Sequence, residues 1–287
     1  MKLLNKIIRK TFFIWEKFGF FVIPNHFYEP IPDIKKLRNK KWSNYSELIG
    51  IDMRDQNQKN LLNLFFNKFK KEYDLISMEK GNSEFGPVDA EILYCMVREL
   101  KPKKIIEIGS GYSTNIIIEA ILKNKKEFGV ACDLKSVDPF AKDFIKNKKF
   151  DFFELIKKEI QDISLEFFNN LEENDILFID SSHVLKTGSD VQYEYLEILP
   201  RINNGVIIHS HDIFLPLEYP KDWILKEYRF FNEQYLLQAF LAFNKEFEIL
   251  WSSSYMNFKH KNVLFERFKS FDKKNSAPSS FWIKRKK

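Results

Sequence analysis

Two short segments of the sequence gather the residue types that do acid–base or metal chemistry. Asp180-Ser181-Ser182-His183 follows the apolar run Ile176–Ile179, and His209-Ser210-His211-Asp212 closes the run that begins at Val206. Carboxylates and imidazoles converging at the ends of two buried strands form a candidate catalytic site of Asp180, His183, His211 and Asp212. His183 is the candidate general base, because an unperturbed imidazole titrates near neutrality. Alternatively, Asp180 and Asp212, helped by His211, hold a divalent cation. Two carboxylates favour magnesium or manganese, and the histidine favours a softer metal. His209 shares a strand face with His211 and reads as structural, with a place behind His211 as the other option.

A second group points to a ligand rather than a reaction. In Glu107-Ile108-Gly109-Ser110-Gly111-Tyr112-Ser113-Thr114 the glycines follow an apolar strand and precede a helix. Missing Cβ atoms let the backbone turn tightly and come close to a bound group, and the first N–H groups of the helix face an anion. A dinucleotide site would want a third small residue at Thr114, so a smaller carboxylate-bearing ligand suits the loop better. Asp138 ends the next strand, where a carboxylate accepts both hydroxyls of a ribose or caps the turn before Pro139. Asp162 either reaches the amine of an adenine or caps the helix after it.

Elements of one class must position these groups. Strands are expected at residues 103–108, 135–137, 176–179 and 206–209, with a short one within 152–158. Helices are expected between them, including 87–100, 115–123 and 190–199. Strands alternating with helices, and predominantly apolar runs such as KIIEI, DILFI and GVIIH, indicate an α/β fold. Its doubly wound, Rossmann-like, mostly parallel sheet is covered on both faces. Residues 247–251 and 280–283 read as two more strands with an irregular polar segment and no helix between them, so the sheet ends in an antiparallel C-terminal strand pair. Residues 1–84 lack the alternation and form a mainly helical N-terminal extension, with a helix near 57–73; residues 85–287 form the sheet domain.

Composition narrows the class further. With 30 phenylalanines and 44% hydrophobic residues the 287-residue chain can bury a large core. The 46 basic residues are nearly balanced by 40 acids, so no nucleic-acid partner is expected. Two cysteines, Cys95 and Cys132, lie in apolar stretches without metal-ligand spacing, which favours a reducing, cytoplasmic setting. Near the N-terminus Lys6, Arg9, Lys10 and Lys17 interrupt the apolar residues too often for a signal peptide or a membrane span. Leu3, Leu4, Ile7, Ile8, Trp15 and Phe18 instead recur at helical spacing. This amphipathic helix either docks on the domain or makes peripheral membrane contact.

Across residues 85–283 the sequence resembles the class I S-adenosylmethionine-dependent methyltransferases. The Glu107-x-Gly109-x-Gly111 segment is similar to that family's first motif, which implies Glu107, Gly109, Ser110, Gly111 and Ser113 at the methionine part of the cofactor, with Asp138 on its ribose. The segment from Phe178 through the Ile179-Asp180-x-x-His183 motif to His211-Asp212 resembles a bacterial subgroup of cation-dependent small-molecule O-methyltransferases. It departs from them by carrying His211 where they have an aspartate. The resemblance implies S-adenosyl-L-methionine as cofactor and a hydroxyl of a sugar, nucleotide sugar or other polar small molecule as acceptor. Residues 25–28 and the loop 214–223 are candidates for the acceptor's lid, and a homo-oligomer is a further expectation. A non-catalytic S-adenosylmethionine-binding protein and an RNA methyltransferase are the alternatives. A metallohydrolase would need further histidines and leaves the glycine loop unexplained.

Overall fold

The computed structural model describes residues 2–26, 28–42, 45–75 and 85–286; nothing is said of the side chains of residues 2–5. The chain divides into two compact units, Met1–Asn44 with Tyr219–Phe230, and Tyr45–Glu218 with Phe231–Lys287. The division therefore differs from the boundary expected at residues 84 and 85: residues 45–75 belong with the sheet.

The smaller unit contains helices α1 (Lys2–Lys10), α2 (Phe12–Lys17), α3 (Ile34–Arg38) and, from later in the chain, α10 (Lys221–Leu225). The expected N-terminal helix is present but interrupted at Thr11. The Thr11 hydroxyl bonds back to the carbonyls of Ile7 and Ile8 at 3.1 and 3.0 Å, a local alternative to the helical ladder. Pro24, Pro30 and Pro32 keep the described residues of the next stretch free of regular structure until Asp33 starts α3, its carboxylate accepting from the N–H groups of Lys35 and Lys36. No helix of the described residues is long and apolar enough to cross a membrane.

The larger unit is built on a seven-stranded sheet in the order β3-β2-β1-β4-β5-β7-β6. The strands are β1 (Lys104–Ile108), β2 (Asp133–Val137), β3 (Phe153–Ile156), β4 (Ile176–Ile179), β5 (Ile207–Ser210), β6 (Phe247–Ser252) and β7 (Phe281–Arg285). Strands β1 to β5 pair in parallel, and β7 runs antiparallel to both β5 and β6. Every residue of β4 and β5 is buried, because helices cover both faces. These helices are α4 (Asp55–Tyr73), α5 (Asp89–Leu100), α6 (Tyr112–Phe128), α7 (Asp143–Lys146), α8 (Glu166–Asn169), α9 (Asp190–Tyr193), α11 (Glu233–Leu241) and α12 (Ser253–Arg267).

The segment between the last two strands corrects the sequence reading: it holds the helix α12. Its apolar spacing is obscured because the helix is kinked at His260, and its buried side chains include Ser253 and Ser254 alongside Tyr255, Met256 and Leu264. The last two strands do pair antiparallel, with β7 inserted between β5 and β6.

Parallel alignment puts the carboxyl ends of β1, β2, β4 and β5 on one edge of the sheet, where Gly109, Asp138, Asp180 and His211 follow their strands directly. The opposite edge is pinned by Asp175. Its carboxylate accepts from the N–H groups of Lys103, Lys104 and Glu172, each at 2.9 Å.

Candidate active site

A cleft of about 540 Å³ opens above these strand ends, lined among others by Gly109, Ser110, Asp138, Gln161, Asp180 and Asp190. Its floor explains the first glycine. Gly109 has φ +79°, and a Cβ there would stand 2.1 Å from the carbonyl oxygen of Asp180. The tips of β1, β2 and β4 are laced by the bonds from Gly109 N to Val137 O (3.0 Å) and from Asp180 N to Ile108 O (2.9 Å). Gly111 is different. Its φ of −176° is open to any residue, and no atom beyond its chain neighbours lies within 4 Å of its missing Cβ.

Glu107 and Ser113, expected against the ligand, are placed elsewhere. Both are buried and neither lines the cleft. The Glu107 carboxylate accepts from the hydroxyls of Ser113, Thr114 and Ser136, and Thr114 in turn accepts from Gly111 N at 3.0 Å. Burial pushes Glu107 up to about 7 against these three bonds. Glu107 is thus a strut that ties β1, β2 and the start of α6 together, and it positions the loop from behind.

Asp138 lines the cleft, half-buried, and makes the turn cap expected as one of its two roles. Oδ1 caps the turn by accepting from Phe140 N at 2.7 Å. Oδ2 takes the N–H (3.0 Å) and the hydroxyl (2.6 Å) of Ser110. A carboxylate has about four acceptor positions, so about one remains, and rotation of the Ser110 hydroxyl would release another. Asp162 is exposed and outside the cleft, at the far end of the turn Ile160–Asp162. Its neighbour Gln161 faces the cleft instead, with a buried Oε1 that lacks a hydrogen-bond partner.

Asp180 joins this cleft to the histidines. Its Oδ1 lies 3.3 Å from His183 Nε2 and 3.6 Å from His211 Nδ1. Asp212 completes the pattern, with Oδ2 3.5 Å from His183 Nε2 and Oδ1 3.4 Å from His211 Nδ1. His183 and Asp212 have φ of +60° and +55°, a region side-chain-bearing residues seldom adopt. The His183 carbonyl is held there by the N–H groups of Asn232 and Glu233, at 3.0 and 3.2 Å.

Sequence reasoning missed the groups behind the histidines. Glu233, fully buried at the start of α11, bonds His183 Nδ1 at 2.8 Å and accepts from the Tyr195 hydroxyl at 2.8 Å. Tyr195 belongs to a π-helical turn, Glu194–Ile198, that continues α9. Asp89 of α5 stands 3.6 Å behind His211 Nε2 and accepts from the N–H groups of Ser279 and Ser280. His209 is stacked on Phe178 at 3.9 Å and bonds Ser280, and burial with the neighbouring His211 holds it well below the ordinary imidazole value. It packs as a neutral core histidine.

Charge in the cluster is sorted by these contacts. Burial opposes a charge on His183, but the bonds to Asp180 and Glu233, with the Asp212 charge, hold it well above the ordinary value. His211 is likewise opposed by burial and carried well above by Asp212 and Asp180. Asp180 is raised by burial but held far below the usual carboxylate range by His211 and His183. The surrounding carboxylates therefore favour the charged form of both imidazoles. The set expected from sequence for a cation is Asp180, His211 and Asp212; His211 Nδ1 lies 3.6 Å from Asp180 Oδ1 and 3.4 Å from Asp212 Oδ1, and a cation there would have to displace the imidazole proton. Among the described residues no group of three or more His, Cys, Asp or Glu side chains is arranged to hold a metal ion.

Of the candidate lid, Phe27 lies outside the described residues, and Phe214 and Leu215 are buried.

A family described as a methyltransferase domain matches residues 106–213. An uncharacterized protein of Archaeoglobus fulgidus is 32% identical over 166 residues, 53% of this chain and 74% of that protein. Similar solved structures include the SAH-bound methyltransferase PaMTH1 of Podospora anserina, at 15% identity and TM-score 0.44, covering 80% of this chain and 88% of that one. An O-methyltransferase from Bacillus cereus in complex with SAH is 14% identical, with TM-score 0.41, covering 81% of this chain and 92% of that one.

Proposed function

We propose that this chain is a class I S-adenosylmethionine-dependent methyltransferase that methylates a hydroxyl of a sugar, nucleotide sugar or similar polar small molecule. The observation that carries the proposal is Asp180, which lines the cofactor cleft and also contacts both histidines of the acid–base cluster.

Bound S-adenosylmethionine supplies an electrophilic methyl on a sulfonium; as the acceptor oxygen bonds that carbon, the carbon–sulfur pair returns to sulfur. The residues of the chain hold the two partners and take the proton. Asp138 receives the ribose hydroxyls once the Ser110 hydroxyl turns away, and the free Oε1 of Gln161 accepts from an adenine amine. His183 accepts the acceptor's proton at Nε2, facing Asp180 and Asp212, while Nδ1 donates to Glu233 and fixes the tautomer.

This role requires neutral His183, whereas Asp180, Glu233 and Asp212 favour the charged ring. A positive charge arriving in a cleft lined by Asp180 offsets the carboxylates that hold the proton, so His183 gives it up more readily once the cleft is filled. A cytoplasmic setting is part of the proposal, supported by two buried, free thiols, Cys95 and Cys132.

The test is a mass-spectrometric screen of polar metabolites for gain of one methyl in the presence of S-adenosylmethionine, with His183→Ala as control. Methylation of a hydroxyl compound that the variant fails to perform supports the proposal. Methylation confined to nitrogen or RNA, or a variant as active as the natural chain, overturns it.

A further inference from the structure

One surface of the smaller unit has no place in the methyl-transfer chemistry. Ile7, Ile14 and Phe18 follow one another at intervals of seven and four residues and so share one side of α1 and α2 and the residue after them. Across the break the Thr11 N–H still bonds the Ile7 carbonyl at 3.0 Å, which keeps the two short helices close to one register. These apolar side chains remain 50%, 40% and 70% exposed. Lys6, Lys10 and Lys17, at intervals of four and seven, share another side and are also exposed.

The chain then turns at Gly19 (φ +80°) and lays two more aromatic rings beside the helices. Phe21 stacks on Phe12 at 5.1 Å and Phe20 lies 5.7 Å from Trp15. Phe20 and Phe21 nonetheless stay 49% and 64% exposed, so the turn organises an aromatic surface without covering it. A contiguous exposed apolar patch beside a row of cations is uncommon on a surface meant for water alone.

We propose that residues 6–21 form an interfacial docking surface for an anionic lipid bilayer. Aromatic and aliphatic side chains enter the boundary between headgroups and acyl chains, and the lysines meet the anionic headgroups. Charge decides between occupants. Residues 6–21 carry four basic side chains and one acid, Glu16, which complements an acidic surface and disfavours a second copy of the same basic segment.

The experiment is flotation of the full chain with vesicles of phosphatidylcholine alone or with about 30% phosphatidylglycerol, at low salt and at about 0.5 M salt. The natural chain should float with the anionic vesicles at low salt and much less with neutral vesicles or at high salt. Lys6→Glu/Lys10→Glu/Lys17→Glu should lose about tenfold or more of its affinity, and Ile14→Ser/Phe18→Ser should lose a comparable amount, with unchanged thermal melting. No binding to anionic vesicles, or binding that neither variant weakens, overturns the proposal. So does a dimer in light scattering that Ile14→Ser/Phe18→Ser converts to monomer, since the face would then be an interface between copies.

Discussion

The two ends of the cleft are built on different plans. At the glycine end, β1, β2 and α6 are tied together by neutral hydroxyls and backbone groups around Glu107, and Asp138 follows β2 directly as a carboxylate lining the cleft. At the histidine end, two imidazoles stand among four carboxylates, those of Asp89, Asp180, Asp212 and Glu233. One end is a hydrogen-bonded turn and the other a cluster of titratable groups. A single side chain, Asp180, reaches both. The difference shows that affinity and reactivity are separable here: changes at the glycine end should act on cofactor binding, and changes at the histidine end on turnover.

The largest expected effect is at the histidine end. His183→Ala should lower turnover by about 10²–10⁴-fold while leaving cofactor affinity within about twofold, measured by steady-state kinetics and calorimetry. Equal losses in both would erase the distinction between the two ends.

The next largest separates the two glycines. Gly109→Ala forces a Cβ onto the Asp180 carbonyl in a left-handed backbone, and should destabilise the fold by about 2–4 kcal/mol in denaturant unfolding. Gly111→Ala meets no protein atom, so stability should change by less than about 1 kcal/mol while cofactor affinity falls. A stability loss at Gly111 matching that at Gly109 would mean that the space beside it is needed by the protein rather than by the ligand.

A smaller effect is a displaced pH profile. His183 is raised above its usual value of about 6.5, so its contribution to stability is complete below that pH and is lost as pH rises through the raised value. The neutral, proton-accepting ring appears over the same range, so turnover should rise with pH there. Glu233→Gln removes one of the three carboxylates facing His183, the others being Asp180 and Asp212. It should move the rising limb to lower pH. An unmoved limb would show that another group limits turnover.

The smallest contrast lies on the adenine side. Gln161→Ala should weaken cofactor binding by about 3–10-fold, and Asp162→Ala by less than about twofold. The reverse order would restore the role first read for Asp162.

What was legible in the sequence follows the same division. Gly109, Asp138, Asp180 and His211 could be placed because each directly follows an apolar strand, and a parallel sheet brings such ends to one edge. Glu233 could not. It lies 50 residues beyond His183 and begins a helix with no chemical spacing to mark it, so only the fold brings the two together. Glu107 is legible only as a neighbour of the glycine loop. Its position in the segment says that it is near the glycines, and only the three hydroxyls around it reveal that it faces inward. Helix α12 was missed because its buried face is partly serine and its path kinks at His260.

Calorimetric titration with S-adenosylhomocysteine, comparing the natural chain with Asp138→Ala, tests the central claim most directly. A single site is expected, weakened by about 10–100-fold in the variant because a hydroxyl pair loses its charged acceptor. Absence of binding to the natural chain, or equal affinity in the two, would contradict the assignment of this cleft.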